Sequence, residues 1–551
     1  MRNPDGPVTG RPPVRAERGM VATSHYLASA TGLDVLRRGG SAADAAIAAN
    51  AVLCVAYPHM AGLGGDAFAL VHRPGRTVEA LNASGPAAAL ATRDWYRERG
   101  HTEAIPSRGA ASALTVPGAV DGWRELHERH GRLDWAELFA DAIHLARSGV
   151  PVSRSLEEWT ADDVPDLQQQ DEAAALYLPG GRAPREGDRL RNEGLARTFE
   201  VIASRGARAG FYEGELAERL CAPLETAGSP LRAEDLAAFR AEWVEPISGR
   251  YRGYEMVEMP PNTQGFAALQ VLGMLDGLDV AGFGDGTADY LHHAAEAVKL
   301  AFADRDAWLT DPRSLDIPLD RLLDTGYLAE RRDLIDPERA MTMGQVDPGI
   351  PGPGTGGGDV GGDTCYFCAV DGDGLAVSMI ESVYHDFGSA FVAGDTGVLL
   401  QNRGSFFSLD DAHPNRLEPG KRSFHTLIPA LLMKDGEVDT VLGTMGGEGQ
   451  PQTQAAIVTR LVDFGYDVQQ AIEAPRWLMG RTWGTKDQDL SLEGRVPDGV
   501  LRELERRGQP VKPLGDWDDN MGHAQAIRID RESGYLEGGA DPRGDGLALG
   551  F

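Results

Sequence analysis

The chain is short of cysteine, of lysine and of any long apolar run, and each shortage removes a class of protein. Four cysteines in 551 residues are no disulfide framework. No run of about 18 apolar residues occurs, so neither a membrane span nor a membrane partner is expected. The N-terminal stretch MRNPDGPVTGRPPVRAERGMVATSHY has arginines but not the apolar core of a secretory signal, and a cytoplasmic protein is expected. The basic residues are nearly all arginine, which carries no functional weight. They are outnumbered by acidic residues, 53 against 83, for a net charge of −30. Such a surface repels nucleic acid and anionic membranes, so neither is expected as a partner. A small acidic substrate stays open, because a local cationic pocket can sit within an acidic surface.

What cysteine there is invites a redox or zinc reading at Cys365 and Cys368. The surrounding TCYFCAV is aromatic and β-branched and runs into the turn DGDG, so it reads as a strand. On a strand, positions three apart point to opposite faces. No second cysteine pair exists to complete a zinc site. Buried structural cysteines are expected, with no metal and no cofactor.

Length alone suggests two to four domains, although one closely packed unit fits equally well. Helical patterns fill much of the first two-thirds. SHYLASATGLDVLRR stops at Gly39-Gly40, a C-cap signal, and Ser41 then caps the alanine-rich AADAAIAANAVLCVAY. YRGYEMVEMPP reads as a strand, and residues 263–310 return to a helical pattern. Residues 344–363 form a Gly/Pro-rich linker expected to be mobile. Beyond Thr364 the chain turns to short strands, among them TCYFCAV and LAVSMIESV flanking DGDG as a hairpin, GVLLQN, HTLIPALLM and EVDTVLG. Helices followed by strands around one core predict an α+β layered fold rather than a doubly wound sheet.

A loose segment set hard against a strand that begins with threonine raises a chemical possibility. A hydroxyl needs a base within hydrogen-bond reach to act as a nucleophile at neutral pH. Were the Asp363–Thr364 bond broken, the new α-amino group of Thr364 would be that base, titrating near ~7.7–8. A second requirement is a place for negative charge. LGTMGGEGQPQTQAAIV reads as a strand, a glycine turn and a helix opening with Pro451, and the N–H groups of Gly446 and Gly447 can converge there. Taken alone, that stretch is an ordinary strand-to-helix turn.

These features occur together with GGSAADAAIAANAVLCVAYPHMAGLGGDAFALV, VPGAVDGW, FYEGELAE, YRGYEMVEMPPNTQG, GDTCYFCAVDGDGLAVS, AGDTGVLLQNRGSFFS, GTMGGEGQPQTQ and GGADPRGDG. In that order, from Gly19 to Phe551, the chain resembles the gamma-glutamyltransferase family of self-cleaving N-terminal nucleophile hydrolases. The resemblance implies an αββα sandwich and cleavage between Asp363 and Thr364. It also implies a heterodimer of a large chain (1–363) and a small chain (364–551), together one structural unit, with further association of heterodimers left open. It makes Thr364 the nucleophile, carries the oxyanion glycines onto Gly446 and Gly447, and places a supporting hydroxyl on Ser382, where threonine is usual. The hairpin offers a check. An even-numbered loop would set Thr364 against Glu381, whereas an odd-numbered loop with a glycine bulge sets it against Ser382, and the bulge is expected.

The departures from the family concern substrate. Residues that usually hold a glutamate α-amino group become Tyr384, Arg403 and Phe406. No arginine occupies the place of the usual α-carboxylate ligand, which reads Ser84-Gly85-Pro86. The usual Ser-Ser pair becomes His425-Thr426. Free γ-glutamyl compounds are therefore expected to be poor substrates. Arg403 beside Phe406 and His425 suits a carboxylate without an ammonium group, unless it is engaged by Asp410 or Asp411. SMIESVYHDFGS, LLQNRGSFFS and FHTLIPALL are similar to the cephalosporin-acylase-like and oxamate-amidohydrolase-like branch. His59, His385 and His523 are read as structural hydrogen-bonders. The expected activity is hydrolysis of an amide, or related acyl bond, of a small carboxylate-bearing substrate. The alternatives are a true gamma-glutamyltransferase or glutathione hydrolase, a C–C bond hydrolase of a biosynthetic pathway, and an unprocessed homologue acting as a binding protein.

Overall fold

Alternation along the strands sorts the side chains into three apolar layers, and these layers define the architecture. The computed structural model describes residues 3, 6–353, 363–480 and 488–551, residue 363 as backbone alone. In chain order the strands of its two main sheets are β1 (Val14–Ala16), β2 (Met20–Thr23), β3 (Asp66–His72), β4 (Glu79–Ala83), β5 (Glu242–Val244), β6 (Ile247–Tyr251) and β7 (Tyr254–Glu258). After the linker come β8 (Asp363–Val370), β9 (Ala376–Tyr384), β10 (Ala430–Lys434), β11 (Glu437–Thr444), β12 (Ala524–Asp530), β13 (Tyr535–Ala540) and β14 (Leu547–Gly550). One antiparallel sheet runs β1-β13-β12-β11-β10-β7-β6 and the other β14-β2-β8-β9-β3-β4-β5. Each sheet mixes strands from both sides of Thr364, so neither part of the chain completes a sheet alone.

Between the sheets lies a core that includes Phe68, Leu70, Tyr366, Ile380, Leu431, Val441 and Ile527. The outer face of the β8–β9 sheet, with Cys365, Phe367, Val377 and Met379, packs under helices α1 (Tyr26–Arg37) and α2 (Ala42–Ala56). The outer face of the other sheet is covered by α3 (Gly265–Asp276), α4 (Ala288–Trp308) and α5 (Gln450–Val462). The result is the layered α+β fold expected from the pattern of elements, in the αββα form that the family resemblance implies. α2 begins where Ser41 predicts: its Oγ accepts from the Asp44 N–H at 3.1 Å while the Asp44 carboxylate accepts from the Ser41 N–H at 2.9 Å. Such reciprocal capping stabilises a helix start by about 1 kcal/mol.

Some local expectations change. YRGYEMVEMPP is a hairpin, β6 and β7 joined through Arg252 and Gly253, both at positive φ. GVLLQN forms no ladder, only single bridges of Leu399 to Val392 and of Leu400 to Gly64. Of HTLIPALLM only Ala430 onward is a strand. Within the linker, residues 354–362 lie outside the described residues. The part before them is tied to the helical layer. The Gly349 N–H donates to Asp304 at 2.8 Å, Trp308 Nε1 donates to the Ile350 carbonyl at 3.0 Å, and Arg331 donates to the Asp347 carbonyl at 3.1 Å. Cys365 and Cys368 point to opposite faces of β8, into the helical layer and the inter-sheet core respectively, and both are free thiols.

Candidate active site

The β8–β9 hairpin sets the first contact of the site. Val370 pairs with Ala376, leaving a five-residue loop from Asp371 to Leu375. In it the Asp371 carbonyl accepts from the Gly374 N–H at 3.0 Å, and the Asp371 N–H donates to the Leu375 carbonyl at 3.1 Å. Gly374 has φ 79°, the left-handed turn residue of a glycine bulge. This odd loop keeps Cys365 opposite Glu381, and the register slips by one before Asp363 meets Tyr384. Thr364 therefore falls in this irregularity, level with Ser382 and Val383 and without a ladder partner of its own, while the odd loop with its glycine bulge is the one expected. Thr364, Tyr366 and Cys368 share the inter-sheet face of β8, and Ser382 shares that of β9 with Ile380.

The Thr364 side chain is wholly buried, and its Oγ1 has no hydrogen-bond partner among the described residues. That is unusual, because a buried hydroxyl left unpaired costs about 1–3 kcal/mol. Ser382 Oγ accepts from the Tyr384 N–H at 2.7 Å. Tyr384 itself has φ 85°, a conformation that a bulky side chain rarely adopts. Strain and an unpaired hydroxyl thus meet at one end of the hairpin.

Gly446 and Gly447 join β11 to α5. Gly446 has φ 130° and Gly447 φ 51°, and a 3₁₀ turn over Gly447–Gly449 leads into the helix, with Pro451 in its first turn. Gly443, just before this turn, has room for no side chain: a Cβ there would sit 2.3 Å from the ring of Tyr366, two residues on from Thr364. Among the described residues the N–H groups of Gly446 and Gly447 donate to no partner.

Arg403 opens a short 3₁₀ turn after Asn402 and is buried. Its guanidinium lies over the Tyr384 ring at 4.1 Å and near that of Phe406 at 5.4 Å. The Tyr384, Phe406 and Phe424 rings pack in sequence, tilted to one another, with centroids 4.7 and 4.9 Å apart. Nη1 donates to Thr426 Oγ1 at 3.5 Å, while Nε and Nη2 have no partner among the described residues. Burial lowers the guanidinium to about 10, which still leaves it charged at neutral pH. The alternative engagement by Asp410 or Asp411 does not occur: Asp411 is held by Arg93 at 2.6 Å and Arg97 at 3.2 Å. His425 is neutral, pushed well below its ordinary pKa by burial and by Arg403. The structure thus brings Tyr384, Arg403, Phe406, His425 and Thr426 together, as expected.

Three residues of this neighbourhood were not anticipated. Asp66, on β3 directly beside Ser382, places Oδ2 3.3 Å from His425 Nε2. Its Oδ1 accepts from the Gly85 and Gly118 N–H groups and from Gln401 Nε2, at 3.0, 3.2 and 3.0 Å. Burial nonetheless raises Asp66 to about 7. Gln264 and Arg305 connect the glycine turn to the rest. Gln264 Nε2 donates to the Gly447 carbonyl at 3.0 Å, and Arg305 bonds both Gln264 Oε1 and Glu448 Oε1 at 3.0 Å. The histidine reading is mixed. His523 bonds Asp519, and the His385 ring packs tilted against that of Tyr384 at 4.3 Å. His59 is not the hydrogen-bonder expected: both ring nitrogens lack partners among the described residues, and it packs between Tyr57 and Phe387.

Comparison with known proteins places the whole chain. The family described as Gamma-glutamyltranspeptidase matches residues 28–551. A glutathione hydrolase-like YwrD proenzyme of Bacillus subtilis is 46% identical over 97% of this chain and 98% of its own length. An oxamate amidohydrolase proenzyme of Klebsiella pneumoniae is 44% identical, over 97% and 98% of the two chains. Among solved structures, cephalosporin acylase from Bacillus halodurans superposes with a TM-score of 0.91 at 38% identity, covering 100% of this chain and 99% of that one. Among the described residues no helix is long and apolar enough to cross a membrane.

Proposed function

The chain belongs to the gamma-glutamyltranspeptidase family of N-terminal nucleophile hydrolases, and from that premise we propose that it is a self-processing amidohydrolase acting through Thr364 on small carboxylate-bearing amides. The observation that carries this reading is the buried Thr364 hydroxyl, without a partner among the described residues and set level with Ser382. Thr364 Oγ1 adds to the carbonyl of Asp363, the acyl group passes from nitrogen to oxygen, and water hydrolyses the ester. This yields the Asp363 carboxylate and a free Thr364 amine. The products are a large chain, 1–363, and a small chain, 364–551. Strands of both are hydrogen-bonded to each other within each sheet, so they stay together after the cut.

In turnover the Thr364 amine takes the hydroxyl proton as Oγ1 attacks the substrate carbonyl. The N–H groups of Gly446 and Gly447 receive the developing oxyanion, and Ser382 supports the threonine hydroxyl. The proton passes to the departing amine. Water, deprotonated by the same α-amine, then releases the acid and restores the hydroxyl. For substrate choice, the free edge of Arg403 is the supporting feature. Nε and Nη2 lie side by side on a guanidinium, so an open pair is a fork for one carboxylate. The Tyr384–Phe406 wall and neutral His425 beside it offer no anion to a substrate ammonium, although Asp66 lies one layer behind. The relatives named as oxamate amidohydrolase and cephalosporin acylase act on substrates consistent with this pocket.

A second reading, γ-glutamyl hydrolysis, is favoured by the relative named glutathione hydrolase-like. Purified protein incubated separately with oxamate, a glutaryl anilide and a γ-glutamyl anilide separates the two. Oxamate or the glutaryl compound is expected to be turned over in preference, and preference for the γ-glutamyl compound overturns the pocket assignment. A denaturing gel tests processing: two fragments are expected, and an active, unbroken chain overturns the threonine mechanism.

A further inference from the structure

The oxyanion glycines stand on two soft joints. Neither glycine carries a side chain to hold it, and a peptide plane between such residues can rotate unless something outside the turn grips it. In a trans peptide the C=O of one residue and the N–H of the next point in opposite directions, so holding a carbonyl aims the following N–H. The Met445 carbonyl is gripped by Thr444 Oγ1 at 2.6 Å and the Gly446 carbonyl by the Gly449 N–H at 2.7 Å. Both grips come from within the turn itself. The Gly447 carbonyl belongs to the next peptide, whose N–H is that of Glu448, so holding it fixes where the turn sits rather than how either donor is aimed; besides accepting from the Gln450 N–H in the helix start, it is held from outside by Gln264 Nε2 at 3.0 Å.

Gln264 uses its full amide. The second Nε2 hydrogen goes to the Thr426 carbonyl at 2.9 Å, and Oε1 accepts from Arg305 Nη1 at 3.0 Å. Arg305, stacked on Phe302 at 3.8 Å, also grips Glu448 in the turn, so the amide cannot flip without losing an ion-backed partner. On the main chain the Gln264 N–H donates to the His425 carbonyl at 3.1 Å and the His425 N–H donates to the Asn262 carbonyl at 2.8 Å. The segment carrying Gln264 therefore runs as a short parallel pair with the residues that line the acyl pocket. Thr426, whose carbonyl Gln264 holds, in turn meets Arg403 through its hydroxyl. One buried amide thus touches both halves of the site, and residues 264 and 447 are 183 positions apart.

We propose that Gln264 is a positioning residue that locks the Gly446–Gly447 turn against the His425–Thr426 segment, fixing the oxyanion donors relative to the acyl pocket. The inference rests on the threonine reading above and adds to it the group that holds the donors in place. A side chain of this kind stabilises the transition state more than the bound substrate, so its loss falls on kcat rather than KM.

The test compares wild type with Gln264→Met, which has nearly the same volume but donates nothing, using the anilide that wild type prefers. The expected result is a fall in kcat of about tenfold to a hundredfold with KM changed by less than about threefold, a positioning effect below the loss of an oxyanion donor itself. A boronic acid bearing the same acyl group, which forms a tetrahedral adduct with the threonine hydroxyl, is expected to weaken in parallel with kcat, while binding of the product carboxylate is unchanged. A kcat within twofold of wild type overturns the proposal, as does a loss confined to KM or to melting temperature. If Gln264→Met does not fold, Gln264→Asn, which keeps the amide but draws it back from both carbonyls, is read by the same measurements with the same expected and overturning results. Thr364→Ala serves as the separate control. Turnover surviving that change refutes the threonine reading, whereas normal kcat in the Gln264 variants with turnover still dependent on Thr364 refutes only this proposal.

Discussion

The two faces of the β8–β9 hairpin carry polar groups at equal depth and treat them differently. On the helix-covered face Glu381 is fully buried, yet both carboxylate oxygens are engaged, by the Gly62 N–H at 3.0 Å and by Asn50 Nδ2 at 3.2 Å. Asn50 is itself fixed by Trp123 Nε1 at 2.7 Å. On the inter-sheet face Thr364 is as deeply buried, but its hydroxyl has no partner among the described residues, and neither do Nε and Nη2 of Arg403. A buried polar group normally finds its partner within the fold. Tyr366 and Ser378 on that same face bond each other at 2.8 Å, so the face is open at its Thr364 end, and that end is the one built to receive something. The difference separates packing from chemistry on a single pair of strands.

The sharpest break of this comparison is Thr364→Ala. It is expected to abolish both scission of the chain and turnover, read by denaturing gel and by anilide release, while the melting temperature holds or rises, because an unpaired buried hydroxyl is removed. Next comes Arg403→Met. Loss of the carboxylate fork is expected to cut kcat/KM for glutaryl or oxamate substrates by about a hundredfold, or about 2.7 kcal/mol. Self-cleavage, which uses no substrate carboxylate, should proceed. An equal loss on an acyl substrate without a carboxylate would show that Arg403 only packs.

The opposite face predicts an effect on stability with pH. Burial raises Glu381 to about 8, above the ~4.3 of an unfolded chain. Between those values the folded protein keeps a proton that the unfolded chain has released. Stability contributed by this group is therefore lost as pH rises, by up to about 1.4 kcal/mol per pH unit, and the loss stops above about 8. Denaturant titrations of wild type and Glu381→Gln at pH 5, 6.5 and 8 should show the advantage of wild type shrinking as pH rises. A constant gap would mean that Glu381 is ionised throughout. The smallest effect is expected from Cys365→Ala, which trims a buried thiol one residue from Thr364 but on the packing side: about 1 kcal/mol of stability with kcat unchanged.

What could be read from the sequence was local or periodic. The Ser41 cap, the glycine bulge after Asp371-Gly372-Asp373, the strand beginning at Thr364 and the turn at Gly446-Gly447 all write their geometry within a few residues. The pocket residues Tyr384, Arg403, Phe406, His425 and Thr426 came from where the chain departs from its relatives, and the structure gathers them. Asp66, Gln264, Arg305 and Glu448 left no such mark. Asp66 meets His425 across 359 positions through the stacking of the two sheets, and Gln264 meets Gly447 across 183 because β7 and β11 flank β10 in one sheet. Arg403 misleads in the opposite sense. Its acidic neighbours in sequence, Asp410 and Asp411, are drawn outward, Asp411 to Arg93 and Arg97, and proximity along the chain said nothing about pairing. GVLLQN has strand composition without a ladder because its backbone bonds go to the loop 387–393 and to Gly64.

The loop from Asp371 to Leu375 sits seven residues from Thr364, roughly 23 Å along an extended strand, and its tip at Gly372 and Asp373 faces solvent. Surface hairpins of this kind ordinarily tolerate a lost or gained residue. Here the loop sets which β9 residue faces the nucleophile: a pairing slipped by one step, with Val370 against Leu375, would bring a carboxylic acid, Glu381, to the place where an alcohol now stands. The pairing chosen at an exposed turn thus acts as a distant gauge of the reaction chamber, and a slip there would exchange the chemistry of the interior without replacing any residue in it.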